Sequence, residues 1–173
     1  YLKGYDFRSV VIDNKVAAAA LREPADVIGD GKSTVEDVIE VINQDPNRGD
    51  GPEKVLTKIL INDETHYVLD QQGFKISDVI EDKKKVYVRQ TANLSSGGTA
   101  VDVTDKVHPH NITMAERISR IIGLDVMGID IIAETLDKPL TEQNAGIIEI
   151  NCGPGFRMHL SPSEGKPRNV GKA

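Results

Sequence analysis

The sequence predicts an α+β fold in which helices flank a mostly antiparallel sheet. Residues 7–13 and 15–22 read as two strands, FRSVVID and KVAAAALR, joined at Asp13-Asn14. Asparagine tolerates the backbone of a tight turn, so these strands are expected to form a hairpin. Two apolar segments near the C-terminus, residues 124–134 and 146–151, supply further strands.

Helices are predicted from apolar residues at helical spacing and from end signals. The predicted helices cover residues 35–45, 63–72 and 111–122. Ser33 to Glu36 resembles a capping box before the first helix, and Asn111 is expected to cap the third. Gly73 and Gly123 are expected to end the second and third helices. Residues 25–85 therefore look like a helical insertion between sheet strands, and residues 86–91 form a short strand after it.

Composition narrows the class of protein. The 173 residues suit one domain, or one lobe of something larger, and 39% hydrophobic residues can fill a core. The net charge of −6, without a basic stripe, argues against nucleic-acid binding. No apolar run is long enough to span a bilayer, and no signal peptide is visible. A single cysteine fits a reducing compartment, so a cytoplasmic location is expected.

Polar side chains interrupt the two C-terminal apolar segments. Glu149 and Asn151 are two residues apart in a strand, so they face the same way. Asp130 lies within the run MGIDIIAE, where a carboxylate is an unusual choice unless it has a function. If the two strands are neighbours, two carboxylates and an amide oxygen converge. This donor set suits Mg²⁺. The alternative without a function is that three polar residues simply end exposed strands.

Four segments together resemble the ATP-grasp ligases, and within them the ATP-grasp domain of cyanophycin synthetases. They are DFRSVVIDNKVAAAALREPADVIGDGKST, VYVRQTANLSSGGTAVDVTD, GLDVMGIDII and IIEINCGPGFRMHLSPSEGKPRNVG. The resemblance covers essentially the whole chain. The last segment is its most specific part, whereas the acidic triad is shared across the ATP-grasp ligases.

The resemblance implies an enzyme in which ATP phosphorylates a carboxylate and an amine attacks the acyl phosphate to give an amide. It implies ATP and two Mg²⁺ ions as cofactors, acid and amino-acid substrates, and a homo-oligomer. In cyanophycin synthetases this domain extends an aspartate backbone, and a Mur-ligase-like domain, which is not expected within these residues, adds arginine. The nucleotide clamp is expected upstream of Tyr1, so the chain alone is expected to be inactive.

The resemblance also implies roles for individual residues. Asp130, Glu149 and Asn151 would hold the metal, with Glu149 between two ions. Arg8 would face the reacting phosphate, although it could instead pair with a surface carboxylate. Arg89 is the second catalytic candidate. The proposed substrate-binding residues are Asn93, Ser95, Ser96, Gly97, Gly98 and Arg157.

Several interpretations stay open on the sequence alone. Arg22 is as easily structural as functional, and His159 is either a surface residue or a supporting one. For the whole chain, one alternative is the glutathione-synthetase half of a bifunctional enzyme, which shares the NLS(T/S)GG-type loop. Another is a non-catalytic ATP-grasp lobe that serves assembly.

Overall fold

The computed structural model describes residues 2–50 and 54–172. The strands are β1 (Tyr5–Ile12), β2 (Lys15–Glu23), β3 (Asp26–Ile28), β4 (Arg48–Gly49), β5 (Leu56–Thr57), β6 (Lys85–Tyr87), β7 (Thr99–Asp102), β8 (Val126–Ala133) and β9 (Gly146–Asn151). The α-helices are α1 (Val35–Asn43), α2 (Asp63–Gln71), α3 (Pro109–Ile122) and α4 (Arg157–Leu160). Short 3-10 turns occur at Leu94–Ser96, Thr104–Lys106, Leu140–Glu142 and Val170–Lys172.

The chain forms two compact units. The first combines the residues up to Arg22 with those from Ala100 onward, and the second is Glu23–Thr99. In the first unit, five strands form one sheet in the order β7-β2-β1-β8-β9. The pairs β1/β2, β1/β8 and β8/β9 are antiparallel. The predicted α+β class with a mostly antiparallel sheet is therefore confirmed.

The hairpin between β1 and β2 forms as predicted. Asp13 and Asn14 both adopt positive φ, 47° and 62°, which matches the twist of a two-residue hairpin turn. Lys15 pairs with Ile12 directly after the turn. The local signal was sufficient here because the turn residues set the register of both strands.

The sheet of the first unit buries alternate residues on one face. Val11, Met127, Ile129 and Ile131 belong to a core cluster that also contains Ala115 of α3. The opposite face carries a second apolar cluster, formed by Val10, Ile12, Ala18 and Val170 with Val126 and Phe156 packed against it. The remainder of that face is charged, and it carries the candidate site.

The second unit has its own core and contains both helices and strands. Its cluster of buried side chains comprises Ala25, Val27, Val35, Ile39, Ile59, Leu69, Ile80, Val86 and Val88. The helices α1 and α2 lie within the segment predicted as a helical insertion. The short pairs β3/β6 and β4/β5 add two small sheets to the unit.

The first capping box lies one residue later than predicted. Thr34, not Ser33, is the N-cap of α1, and it accepts a hydrogen bond from the backbone N–H of Asp37. The Asp37 carboxylate in turn accepts from the backbone N–H of Thr34. Ser33 is instead held by the Asp30 carboxylate in the preceding turn. Ser33 and Thr34 could each serve as the N-cap. Because Asp30 binds Ser33, Thr34 caps the helix.

The start of α3 also differs from the prediction, since Asn111 lies inside the helix. His108 is the N-cap and Pro109 is the first helical residue, a position where the missing N–H of proline is tolerated. The helix ends at Gly123, which has φ 76° and confirms the predicted stop. In α2, Gly73 follows the C-cap with φ 78°, again as predicted.

The predicted strand at 86–91 is shorter than expected. β6 ends at Tyr87, where the side chain of Gln72 bonds to the strand as a neighbouring backbone would. Its amide oxygen accepts from the Tyr87 N–H at 3.0 Å, and its amide nitrogen donates to the Tyr87 carbonyl at 2.8 Å. A side-chain contact of this kind leaves no periodic trace in the sequence.

Asn111 is buried and ties α3 to the loop that follows β8. Its Nδ2 donates to the carbonyls of Leu136 at 3.0 Å and Lys138 at 2.7 Å, and its Oδ1 accepts from the Leu140 N–H at 2.9 Å. We predict that Asn111→Ala lowers the free energy of unfolding by about 2–4 kcal/mol, because it leaves buried backbone groups unpaired. Denaturant unfolding measures this, with the exposed Thr113→Ala as control. Equal stability of the two variants would contradict the assignment.

Candidate active site

Charged side chains form a row across the charged face of the sheet. Arg8 of β1 lies directly opposite Asp130 of β8, and Asp130 lies directly opposite Glu149 of β9. Asn151 pairs with Gly128, two residues from Asp130 on the same strand. Residues that are paired across strands share a face, and so do residues two apart along a strand. The predicted triad therefore meets on one face of the sheet, together with Arg8.

A β-bulge in β9 lies directly beside this alignment. Asp130 pairs with Glu149 whereas Ile131 pairs with Ile147, so Ile148 is an extra residue in β9. Without the extra residue, strict alternation would carry Ile147 to the charged face. The bulge lets apolar residues pair on the core side while the two polar side chains stay beside Asp130.

Asp130 is buried and makes ion pairs with two arginines. Arg8 donates from Nε to Oδ1 and from Nη2 to Oδ2, the latter at 2.7 Å. Arg22 Nη2 lies 3.4 Å from Asp130 Oδ1 and donates to Asp6 Oδ1 at 2.5 Å. Two guanidinium groups thus balance two carboxylates, which is what buried charges require. Burial raises the pKa of Asp6, although its hydrogen bond from Arg22 acts in the opposite direction.

The other two members of the triad are more accessible. Asn151 Nδ2 lies 3.5 Å from Asp130 Oδ2. Glu149 is exposed, and its carboxylate makes no hydrogen bond or ion pair with any residue that the structure describes. Glu149 is therefore the member of the triad that is free to accept a cation or a donor.

The chain after β9 passes close to this row. A Cβ atom added at Gly128 would lie 2.8 Å from Pro154 Cβ and 3.3 Å from Arg8 Cδ. Only glycine leaves room at this point for both the arginine stem and the proline. The space for Arg8 therefore depends on a residue that carries no side chain.

The C-terminal segment is fastened over the same unit by Arg168. Its guanidinium donates to both oxygens of Asp102, with distances of 2.7–3.1 Å. Burial alone would raise the pKa of Asp102, but the bonds from Arg168 and Thr104 outweigh it and lower that pKa. No local pattern predicts this pair, because its members are 66 residues apart.

His159 is buried within this segment, so the surface alternative is wrong, whereas a supporting role stays a prediction. Among the described residues, its Nε2 has no hydrogen-bond partner. Burial and the nearby charges of Arg8 and Arg22 lower the pKa of His159 to about 4, against the opposing field of Asp102. The imidazole is therefore neutral at physiological pH.

The other predicted site residues belong to the second unit, apart from Arg157. Arg89 is buried, and it donates to Thr65 Oγ1 at 2.5 Å, to the Val88 carbonyl at 3.0 Å and to the Leu60 carbonyl. Its Nε also lies 3.7 Å from the Glu64 carboxylate. These contacts give Arg89 a structural role at the start of α2, and its catalytic role stays a prediction.

The loop at residues 93–98 is also explained in part by packing. Ser95 and Ser96 both lie in the 3-10 turn, and Ser96 Oγ donates to the Asn93 carbonyl at 2.9 Å. A Cβ at Gly97, where φ is 96°, would lie 2.8 Å from Ile59. A Cβ at Gly98 would lie 2.8 Å from two carbonyl oxygens. The glycines thus allow close backbone packing, and a substrate-binding role for the loop stays a prediction.

Arg157 is the first residue of the short helix α4 in the first unit and is half-buried. Its predicted role as a substrate-binding residue stays a prediction. Over residues 2–50 and 54–172, no group of three or more His, Cys, Asp or Glu residues could hold a metal ion. The proposed triad contains two carboxylates and one amide. No helix in the described part of the chain is long and apolar enough to cross a membrane.

Comparison with known proteins identifies relatives along the full length of the chain. It is 51% identical over 173 residues to the cyanophycin synthetase of Trichormus variabilis, which is 100% of this chain and 19% of that protein. It is 49% identical over 170 residues to the cyanophycin synthetase of Synechocystis, or 98% of this chain and 20% of that protein. The chain thus spans about a fifth of the length of these relatives. No protein-family model matches it.

A solved structure gives the same result for the fold. The crystal structure of a bifunctional glutathione synthetase from Pasteurella multocida matches with a TM-score of 0.85 at 33% identity, over 99% of this chain and 23% of that one. The chain has the fold of the C-terminal part of an ATP-grasp domain. Its similarity to cyanophycin synthetases confirms the resemblance that the motifs indicated.

ATP-grasp ligases in general use ATP and Mg²⁺, so the donor set can be tested against that metal. Asp130, Glu149 and Asn151 offer oxygen donors on one face, which is the chemistry that Mg²⁺ prefers. Both Asp130 oxygens are engaged by Arg8 in this structure. The donor types and the register therefore fit a magnesium site, provided that Asp130 exchanges Arg8 for the metal.

The structural role of Arg89 can be tested by its effect on stability. We predict that Arg89→Leu lowers the free energy of unfolding by about 2–4 kcal/mol, because Thr65 and the Leu60 carbonyl lose their buried donor. Denaturant unfolding of the chain measures the change. Arg48→Leu is the matched control, since Arg48 also donates to backbone carbonyls in this unit. Because Arg48 is less buried, its loss should lower the stability less. Wild-type stability of Arg89→Leu would show that its contacts contribute little.

The buried imidazole predicts a pH dependence of stability. The pKa of His159 is about 4 in the folded chain and 6.5 when unfolded, so the unfolded state binds the proton first as pH falls. We predict that stability decreases between about pH 6.5 and pH 4, by up to roughly 3 kcal/mol. His159→Gln should remove this part of the dependence. An unchanged pH profile in that variant would contradict the assignment.

Proposed function

We propose that the chain is part of an ATP-dependent ligase that joins a carboxylate to an amine through an acyl phosphate, in cyanophycin synthesis. The observation that carries the proposal is the row of Arg8, Asp130 and Glu149 across three strands, with Asn151 beside it. The 51% identity to a cyanophycin synthetase over the whole chain supports this substrate class. Aspartate and arginine are therefore the proposed building blocks.

Each residue of the row has a proposed task. Asp130, Glu149 and Asn151 would hold Mg²⁺, two ions being expected with Glu149 shared between them. When bound, the ions supply neutralisation of phosphate charge. Arg8 presents a guanidinium on the same face, where it can stabilise the negative charge that develops on the phosphoryl group.

Arg22 helps to neutralise the carboxylates on this face, because it pairs with Asp6 and also lies close to Asp130. Arg89 is proposed as a second catalytic residue, and Arg157 and the loop from Asn93 to Gly98 are proposed to contribute substrate contacts. Acid and amino-acid substrates, a homo-oligomeric assembly and a cytoplasmic location complete the proposal for the full-length protein.

A glutathione-synthetase-like ligase is the second candidate. The match to the bifunctional glutathione synthetase, with a TM-score of 0.85, favours it. The lower identity of 33% and the FRMHLSPSEGKPRN segment favour cyanophycin synthesis instead. The two candidates are separated by offering the full-length protein aspartate, arginine and a primer, or γ-glutamylcysteine and glycine, and measuring ATP-dependent product formation.

Glu149 provides the sharpest test of the metal site, because it is exposed and its loss leaves no buried partner unpaired. We predict that Glu149→Gln in the full-length protein lowers kcat about 100-fold or more, with partial recovery at high Mg²⁺. Steady-state ATP hydrolysis coupled to amide formation measures this effect. The thermal unfolding midpoint should not change.

Glu142→Gln is the matched control, since Glu142 is also exposed in the first unit but lies outside the row. Turnover at the wild-type rate in Glu149→Gln would end the metal assignment. Asp130→Asn is a less clean test, because it also removes a charge partner of the buried Arg8 and Arg22. Absence of turnover with either substrate set would favour a non-catalytic module.

A further inference from the structure

The buried Nε2 of His159 is a polar atom without an assigned task. The described residues leave it without a hydrogen-bond partner, although the side chain is almost fully enclosed, with 2% exposure. Buried polar atoms are nearly always paired, because an unmade hydrogen bond costs free energy. An atom of this kind points to a partner that arrives in another state of the protein.

The backbone around His159 is fixed, so the imidazole cannot easily turn away. The His159 N–H donates to the Phe156 carbonyl at 2.9 Å, and the His159 carbonyl accepts from the Arg168 N–H at 2.7 Å. Arg168 is in turn clamped to Asp102. Phe156 packs against the apolar end of the charged face. The segment that carries His159 therefore covers the face that carries Arg8.

Arg8 is the group that will need a second partner. Both of its hydrogen bonds to a carboxylate go to Asp130, which the proposed function makes a metal ligand. When Asp130 accepts a cation, part of its acceptor capacity goes to the metal and the cation repels the guanidinium. A buried guanidinium without an acceptor is strongly unfavourable. Arg8 also lies against the segment that carries His159, since a Cβ at Gly128 would contact both Arg8 Cδ and Pro154, five residues before His159. Burial lowers the pKa of His159, and the positive charges of Arg8 and Arg22 help to lower it.

We propose that His159 is a positioning residue whose Nε2 accepts a hydrogen bond from Arg8 when Asp130 takes up the metal. The inference rests on the proposed function, since it requires the metal site at Asp130, Glu149 and Asn151. A neutral imidazole suits this task, because it offers a lone pair and adds no positive charge beside the arginines. The exchange keeps Arg8 on the face of the sheet while its carboxylate is occupied.

The test is a titration of the full-length protein with Mn²⁺ alone, followed by electron paramagnetic resonance of the free ion. Glu149→Gln defines how much of the binding belongs to this site. We expect His159→Phe, which keeps the volume but removes the acceptor, to weaken that binding roughly 10- to 100-fold. His159→Gln retains an acceptor oxygen and should restore most of the affinity.

The Arg8→Ala background isolates the mechanism. Without Arg8, no guanidinium needs a new hydrogen-bond acceptor when the metal binds. Adding His159→Phe should therefore change Mn²⁺ affinity less than about twofold. A role in packing alone would give the same loss in both backgrounds and no rescue by glutamine. Either result, or wild-type affinity in His159→Phe, overturns the inference and leaves the proposed function standing. If the wild-type protein has no Glu149-dependent Mn²⁺ site, the proposed function itself fails.

Discussion

The position of β8 between β1 and β9 is the constraint on which the site depends. Because both neighbours are antiparallel to β8, Arg8 and Glu149 are brought to either side of Asp130 in one row. The row can exist in a partly buried place only because its charges balance. Arg8 and Arg22 neutralise Asp130 and Asp6, and each of these groups would be costly to bury alone.

The same face divides into an apolar end and a charged end, and this division links packing to chemistry. Val10 and Ile12 anchor the returning C-terminal segment through Phe156, while the residues beside them on the face are charged. Gly128 gives Arg8 and Pro154 the space to lie close together. The segment after β9 is therefore both a cover for the sheet and a wall of the candidate site.

The second unit shows how a residue can resemble a catalytic group and yet have structural contacts. Arg89 alternates with valines along its segment, which made a functional orientation plausible. Its guanidinium is instead buried against Thr65 and the Leu60 carbonyl. Gly97 and Gly98 likewise allow close packing, so their conformation alone does not require a ligand.

The sequence by itself determined the features that depend on near neighbours. The hairpin at Asp13-Asn14 and the shared orientation of Glu149 and Asn151 follow from turn conformation and strand alternation, which act over a few residues. Tertiary structure decided that Arg8 meets Asp130, 122 residues away, and that His159 is buried. The pairing of β1 with β8 and the path of the C-terminal segment set those features, and neither leaves a local signal, because both arise from how distant segments pack together.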